Sequence, residues 1–141
     1  MTTIIDALKT YLESYTGLTE EAPTWVNFMG PEPINYSIVP LPGDVILRTY
    51  LNGATDRQFP FAFQSTESTA DELARIKSVD FYEALAAWFE SQTLADTLPT
   101  LDTGKTATAI SARSWGFLYE QGVSDIGQYQ ITCVLEYEQK A

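Results

Sequence analysis

Apolar and polar positions recur with two different periods along this chain, and the changes of period mark out its elements. From Thr3 to Tyr15 the apolar residues Ile4, Ile5, Leu8, Tyr11 and Leu12 fall three and four positions apart, the spacing of one helical face. Gly17 supplies a stop. Short extended pieces follow, Trp25-Val26-Asn27-Phe28 and Tyr36-Ser37-Ile38-Val39, separated by Gly30-Pro31-Glu32-Pro33 and closed by Pro40-Leu41-Pro42-Gly43. Proline lacks the ladder donor, so these strands are expected at sheet edges or with the proline as first residue. Val45 to Leu51 and Arg57 to Ser65 read as two strands joined by the turn-rich loop Asn52 to Asp56. In the second strand Phe59, Phe61 and Phe63 share one face while Gln58 and Gln64 take the other, and Pro60 predicts a free edge or a bulge.

A short helix is predicted over Asp71 to Lys77. A second one opens at Asp80, which with Glu83 makes a capping-box pattern, and runs to about Gln92 with Phe81, Leu85, Trp88 and Phe89 on its apolar face. After Leu98-Pro99 and the turn Asp102-Thr103-Gly104 come two long β segments, Thr106 to Tyr119 and Gln128 to Glu138. The last alternates most cleanly, with Tyr129, Ile131, Cys133, Leu135 and Tyr137 on one face. The polar loop between them, Gln121 to Gly127, carries two glycines and makes the pair an antiparallel hairpin. Runs of strands separated by helices and joined by hairpin-length links predict the α+β class: an antiparallel or mixed β-sheet with helices packed on one face.

Composition narrows the possibilities. The 141 residues, 45% of them hydrophobic, suit one domain over 1–141 with a substantial core. Against 19 acidic residues stand only 8 basic ones, scattered singly, giving a net charge of −11. Tight nucleic-acid binding requires clustered Lys and Arg to displace phosphate counterions, so none is expected. No apolar run approaches the roughly 20 residues that cross a bilayer, and the charge disfavours anionic lipid, so no membrane partner is expected either. The N-terminus lacks the basic start, long apolar stretch and small-residue cleavage site of an export signal. A single cysteine, Cys133, allows no internal disulfide and no multi-cysteine metal site. Folding in a reducing cytoplasm is the expectation.

The chain has no histidine, which removes the commonest general base and metal ligand and with them any His-based triad. Carboxylate pairs remain open in principle, but Glu20-Glu21 and Asp71-Glu72 read as solvated surface charge. Gly104-Lys105-Thr106 resembles the end of a phosphate loop, yet Pro99 stands where that loop needs its first glycine, so a plain turn into a strand is expected. Asn35-Tyr36-Ser37 fits the glycosylation triplet, which a non-secreted chain does not use. Cys133, on the apolar face of its strand, reads as a core residue. Trp25, Trp88 and Trp115 read as core anchors, with a ligand-stacking platform as the alternative, most open at Trp25 beside its loop. No catalytic, metal or cofactor residue is assigned. The one candidate site is the hairpin Arg48 to Arg57, where two of the eight basic residues meet in an exposed turn: Arg48, Asn52, Asp56 and Arg57 form a candidate subunit contact in an acidic protein.

Several segments, in order and spacing, carry a family resemblance: Tyr36 to Pro42; Tyr50 through Gly53 to Arg57-Gln58-Phe59-Pro60-Phe61-Ala62-Phe63; Phe81-Tyr82-Glu83 with Trp88; Leu98-Pro99 through Gly104 to Ala107; and Tyr129 to Tyr137. Over nearly its whole length the chain resembles the minor capsid or minor tail proteins encoded in tail and neck gene clusters of siphophages and prophages of Gram-positive bacteria. The resemblance implies a tail-terminator-like fold in the virion, folded first in the bacterial host cytoplasm. Its subunits would close into a ring, typically a hexamer, that caps the tail tube and meets the head connector. It implies no catalytic residues and no cofactor. A head-closure or neck adaptor and a tail-tube protein are the nearest alternatives; a carboxylate-dependent enzyme and a small-ligand-binding module are distant ones. A head-to-tail ring is a heterologous contact that uses exposed strand edges or loops. Acidic charge suits a lumen through which DNA slides without sticking.

Overall fold

The structure, a computed structural model, describes residues 3–15, 24–26, 35–68, 72–121 and 126–141. Helix α1 (Ile4–Glu13) starts where Thr3 turns extended and its hydroxyl oxygen accepts the Asp6 N–H at 3.2 Å. That bond satisfies one of the orphan donors of the first turn. The face read from its spacing is the one that packs, with Ala7, Leu8 and Leu12 buried. The stop at Gly17 and the acidic pair Glu20-Glu21 lie outside the described residues.

Strands β1 (Thr24–Val26), β2 (Asn35–Pro40), β3 (Ile46–Thr49) and β4 (Thr55–Ser68) follow, then helix α2 (Glu72–Leu94) and strands β5 (Lys105–Ala112), β6 (Phe117–Gln121) and β7 (Ile126–Gln139). They make one sheet with the order β1-β2-β4-β7-β5, β3 pairing with β4 and β6 with β7. Only β1 with β2 is parallel; the other pairings are antiparallel, so the sheet is mixed and the fold is α+β. Its backbone is the pair β4 and β7, fourteen residues each, in unbroken register from Thr55↔Gln139 to Ser68↔Ile126. Each long strand is flanked end to end by two short ones, β2 and β3 along β4, β5 and β6 along β7.

The alternation in β4 and β7 sets the layers. Phe61, Phe63 and Ser65 on β4, with Tyr129, Ile131, Cys133 and Leu135 on β7, are buried on the face that α1 and α2 cover. The helices contribute Leu8 and Leu12, and Tyr82, Leu85 and Phe89. Each such large apolar side chain stabilises by about 1.5–3 kcal/mol on leaving water. Pro60, for which a free edge or a bulge is expected, sits in the middle of β4. Its carbonyl accepts the Leu41 N–H at 3.0 Å, so its nitrogen faces the same side, into the gap between the end of β2 and the start of β3. A missing donor at that point breaks no ladder bond. Pro40, in contrast to the expectation for the flanking prolines, is the last residue of an interior strand, paired with Phe61.

Two expected boundaries are corrected. The helices predicted over 71–77 and 80–92 are one helix of 23 residues, and Asp80 is exposed in its middle rather than at a cap. Nothing between Lys77 and Phe81 is a glycine or proline, so nothing interrupts the i→i−4 ladder. The segment 106–119 is likewise two strands, β5 and β6, parted at Arg113-Ser114-Trp115-Gly116. Gly116 lies against Tyr82: a Cβ there would come within 2.3 Å of the Tyr82 Cβ. The break stays hydrogen-bonded because the Ser114 hydroxyl accepts the Thr132 N–H at 3.1 Å and Arg113 N–H donates to the Thr132 carbonyl at 2.7 Å.

Candidate functional site

The hairpin formed by β3 and β4 sets Arg48 opposite Asp56 in the ladder, with Arg57 next along β4, while Asn52 lies in the connecting turn. Its turn is closed by Tyr50 N–H to the Ala54 carbonyl at 2.8 Å, and Gly53 takes the positive φ of 92° that a side chain resists. Asn52 is a turn former: its Oδ1 accepts the Ala54 N–H at 3.0 Å. The Tyr50 hydroxyl donates to Asp56 at 2.6 Å, and this bond raises the phenol's pKa against the opposing pull of Arg48. Arg57 Nε donates to Thr55 Oγ1 at 2.9 Å. Arg48, Asp56 and Arg57 rim a shallow depression of about 330 Å³ with Leu47, Thr108, Glu136 and Tyr137. Arg48 alone carries the charge of the segment 45–51.

What the charge-based reading missed is the apolar surface of this hairpin. Val45, Ile46, Leu47, Tyr50 and Leu51 are exposed, and every residue of β3 is. The sequence held a signal: Val45-Ile46-Leu47 and Tyr50-Leu51 do not alternate, so neither face of this strand is polar, and a short edge strand buries neither.

At the other side of the sheet, β5 and α2 border a groove of about 450 Å³. Its floor is made of small residues, Ala86, Ala87, Ala109 and Ala112, and Glu83 and Glu90 are its charged groups. Leu94, 83% exposed, and Trp115, 73% exposed, stand beside it. The groove exists because α2 presents alanines next to its core-facing Tyr82, Leu85 and Phe89. Thr93 ties the two walls: its hydroxyl donates to the Ile110 carbonyl at 2.8 Å and accepts the Ile110 N–H at 3.1 Å. That pair of hydrogen bonds blocks the open edge of β5 at this residue, a guard against indiscriminate strand addition.

Trp88 is partly buried against Tyr11 and Tyr15, ring centroids 5.1 and 4.7 Å away, a core anchor as expected. Trp115 is not: it lies in the strand break and faces solvent. The Trp25 side chain lies outside the described residues, as does Asp71. Cys133 is buried, and desolvation pushes its thiol well above the ordinary value, which suppresses the nucleophilic thiolate. Gly104, at φ 85°, is the turn that delivers the chain into β5. Among the described residues no three His, Cys, Asp or Glu side chains gather as a metal site, and no helix is long and apolar enough to cross a membrane. No family model matches the chain, and no curated protein matches its sequence. Among the described residues the arrangement offers two exposed apolar surfaces, one beside β4 and one beside β5 and α2.

Proposed function

We propose that this chain is a structural subunit of a tailed-phage virion, a tail terminator whose copies close into a ring, typically a hexamer, at the head-to-tail junction. The observation that carries the assembly part is the β3–β4 hairpin, whose five exposed apolar side chains project from the end of a sheet that is otherwise well covered on its helical face. Surfaces of that kind mark protein–protein contacts. The phage assignment rests on the resemblance of the segments from Tyr36 to Tyr137. The charge of −11 supports a lumen-lining role, since an acidic wall holds no phosphate backbone.

The test is negative-stain microscopy of the concentrated protein, alone and mixed with purified tail tubes. Closed rings that cap tube ends support a terminator, rings that bind only head connectors indicate a neck adaptor, and filaments indicate a tube protein. A second reading, a module for a small apolar ligand, is favoured by one observation, the alanine-floored groove beside Trp115. Particles that never assemble and a groove that takes up such a ligand would establish it instead.

A further inference from the structure

We propose that the groove between α2 and β5 is the acceptor for the β3–β4 hairpin of the neighbouring copy, so that the ring is joined hairpin into groove. The inference rests on the ring reading and adds its interface.

Placement comes first. The hairpin's β3 flanks β4 and the groove's β5 flanks β7, so the two long strands lie between donor and acceptor within one copy. With β4 and β7 standing between them in one copy, the contact runs from one copy to the next. Contacts of unlike surfaces repeat by rotation, into rings where the rotation closes and into filaments where it does not, whereas a hairpin-to-hairpin contact would stop at a two-fold dimer.

Size and chemistry agree. The groove follows α2 from Glu83 to Leu94, a rise of about 16 Å at 1.5 Å per residue. The four residues of β3 extend about 13 Å. Exposed Ile46, Leu47 and Leu51 would meet a floor of alanines, where large side chains fill the space that small ones leave. The only charge between Val45 and Leu51 is Arg48, and among the described residues the only charges lining the groove are Glu83 and Glu90. In a protein of charge −11, two copies repel in general, and this is where opposite signs can meet. Because Thr93 already satisfies Ile110, the hairpin seats by side-chain packing there rather than by adding a strand to β5.

The experiment uses two variants of the full chain and their mixture, followed by light scattering coupled to size exclusion. One variant, Leu47→Asp with Leu51→Asp, spoils the hairpin and keeps the groove. The other, Ala87→Trp, fills the groove and keeps the hairpin; all three positions are exposed, so circular dichroism and melting should match the wild type. The wild type is expected to form rings and each variant alone to be monomeric. Their equimolar mixture is expected to give a heterodimer of twice 15.7 kDa, since only one intact hairpin and one intact groove remain to pair. As an independent arm, Arg48→Glu should weaken assembly about tenfold, and adding Glu83→Lys with Glu90→Lys should restore it.

Rings that persist in either variant, or a mixture that stays monomeric while the wild type forms rings, would overturn the hairpin-into-groove contact and leave the ring reading standing. A wild type that stays monomeric at every concentration would overturn both. If that monomer binds the apolar dye anilinonaphthalene sulfonate and Ala87→Trp abolishes the binding, the groove belongs to a small ligand and the proposal fails.

Discussion

Replacing Gly116 by alanine adds one methyl group at the point where the strand break meets the core. The added carbon would lie 2.3 Å from the Tyr82 Cβ, 2.5 Å from Cγ and 2.7 Å from Cδ2, far inside contact distance, and none of these atoms is the free end of a flexible chain. Tyr82 is fully buried and has nowhere to swing. Its hydroxyl is tied to Ser65 Oγ at 2.5 Å and donates to the Tyr129 carbonyl at 3.2 Å. Forcing extra volume into a packed site costs about 1–3 kcal/mol, and disturbing a buried hydrogen bond adds about 1 kcal/mol. A loss of about 2–4 kcal/mol is therefore expected, a large share of the about 5–15 kcal/mol by which a domain is stable. Urea unfolding followed by tryptophan fluorescence measures it as a lower midpoint. The decisive arm is a double-mutant cycle with Tyr82→Gly. That change is costly alone, but it removes Cβ, Cγ and Cδ2 together, so Gly116→Ala in its background should cost under about 1 kcal/mol, a coupling of about 1 kcal/mol or more. Equal cost in both backgrounds would refute the contact and, with it, the explanation of the strand break.

Other expectations follow from the same structure. Leu51 is fully exposed in the subunit, so Leu51→Ala should leave monomer stability unchanged; if the ring buries it, the lost transfer energy of about 2 kcal/mol weakens each contact about 30-fold, read from a light-scattering concentration series. Asp96 ends α2 in the left-handed region at φ 56°, beyond a C-terminal cap in which Thr97 N–H bonds to the Gln92 carbonyl and Asp96 N–H to that of Thr93. Asp96→Gly should therefore stabilise the protein by about 0.5–1 kcal/mol, read as a higher denaturation midpoint. Tyr11 donates to the Thr97 carbonyl at 2.8 Å, and burial pushes its pKa up to about 12. The folded protein thus holds a proton that the unfolded chain releases near pH 10, so stability contributed below pH 10 is lost as pH rises through about 12. Melting temperatures across pH 9–12 should fall, and fall less steeply in Tyr11→Phe.

The sequence carried the sheet's long strands and its core because their signal is strong and local. Tyr129 to Tyr137 alternates without a lapse on its inner side, and all five of those side chains are buried. Pro60 even announced the local gap beside β4. The lost boundaries depended on contacts distant in sequence. Asp80 looked like a cap because Glu83 follows it three residues on, yet a cap requires the preceding chain to leave the helix, and residues 72–79 do not. The break at Ser114 to Gly116 was hidden for a similar reason: a glycine in a β-like run declares itself only when the partner, here Tyr82, is known. At the candidate site the hairpin was legible through Arg48 and Arg57, but its apolar residues were read as an ordinary strand. The groove was invisible, since Ala86, Ala87, Ala109 and Ala112 belong to separate elements and only the docking of α2 on β5 assembles them.

The most direct measurement of the central claim is the mass of the purified wild-type protein by light scattering coupled to size exclusion, over a wide concentration series. A ring-forming subunit gives a closed species at a fixed small multiple of 15.7 kDa that stops growing as concentration rises. A strict monomer throughout, or open-ended growth without a limiting mass, would contradict it.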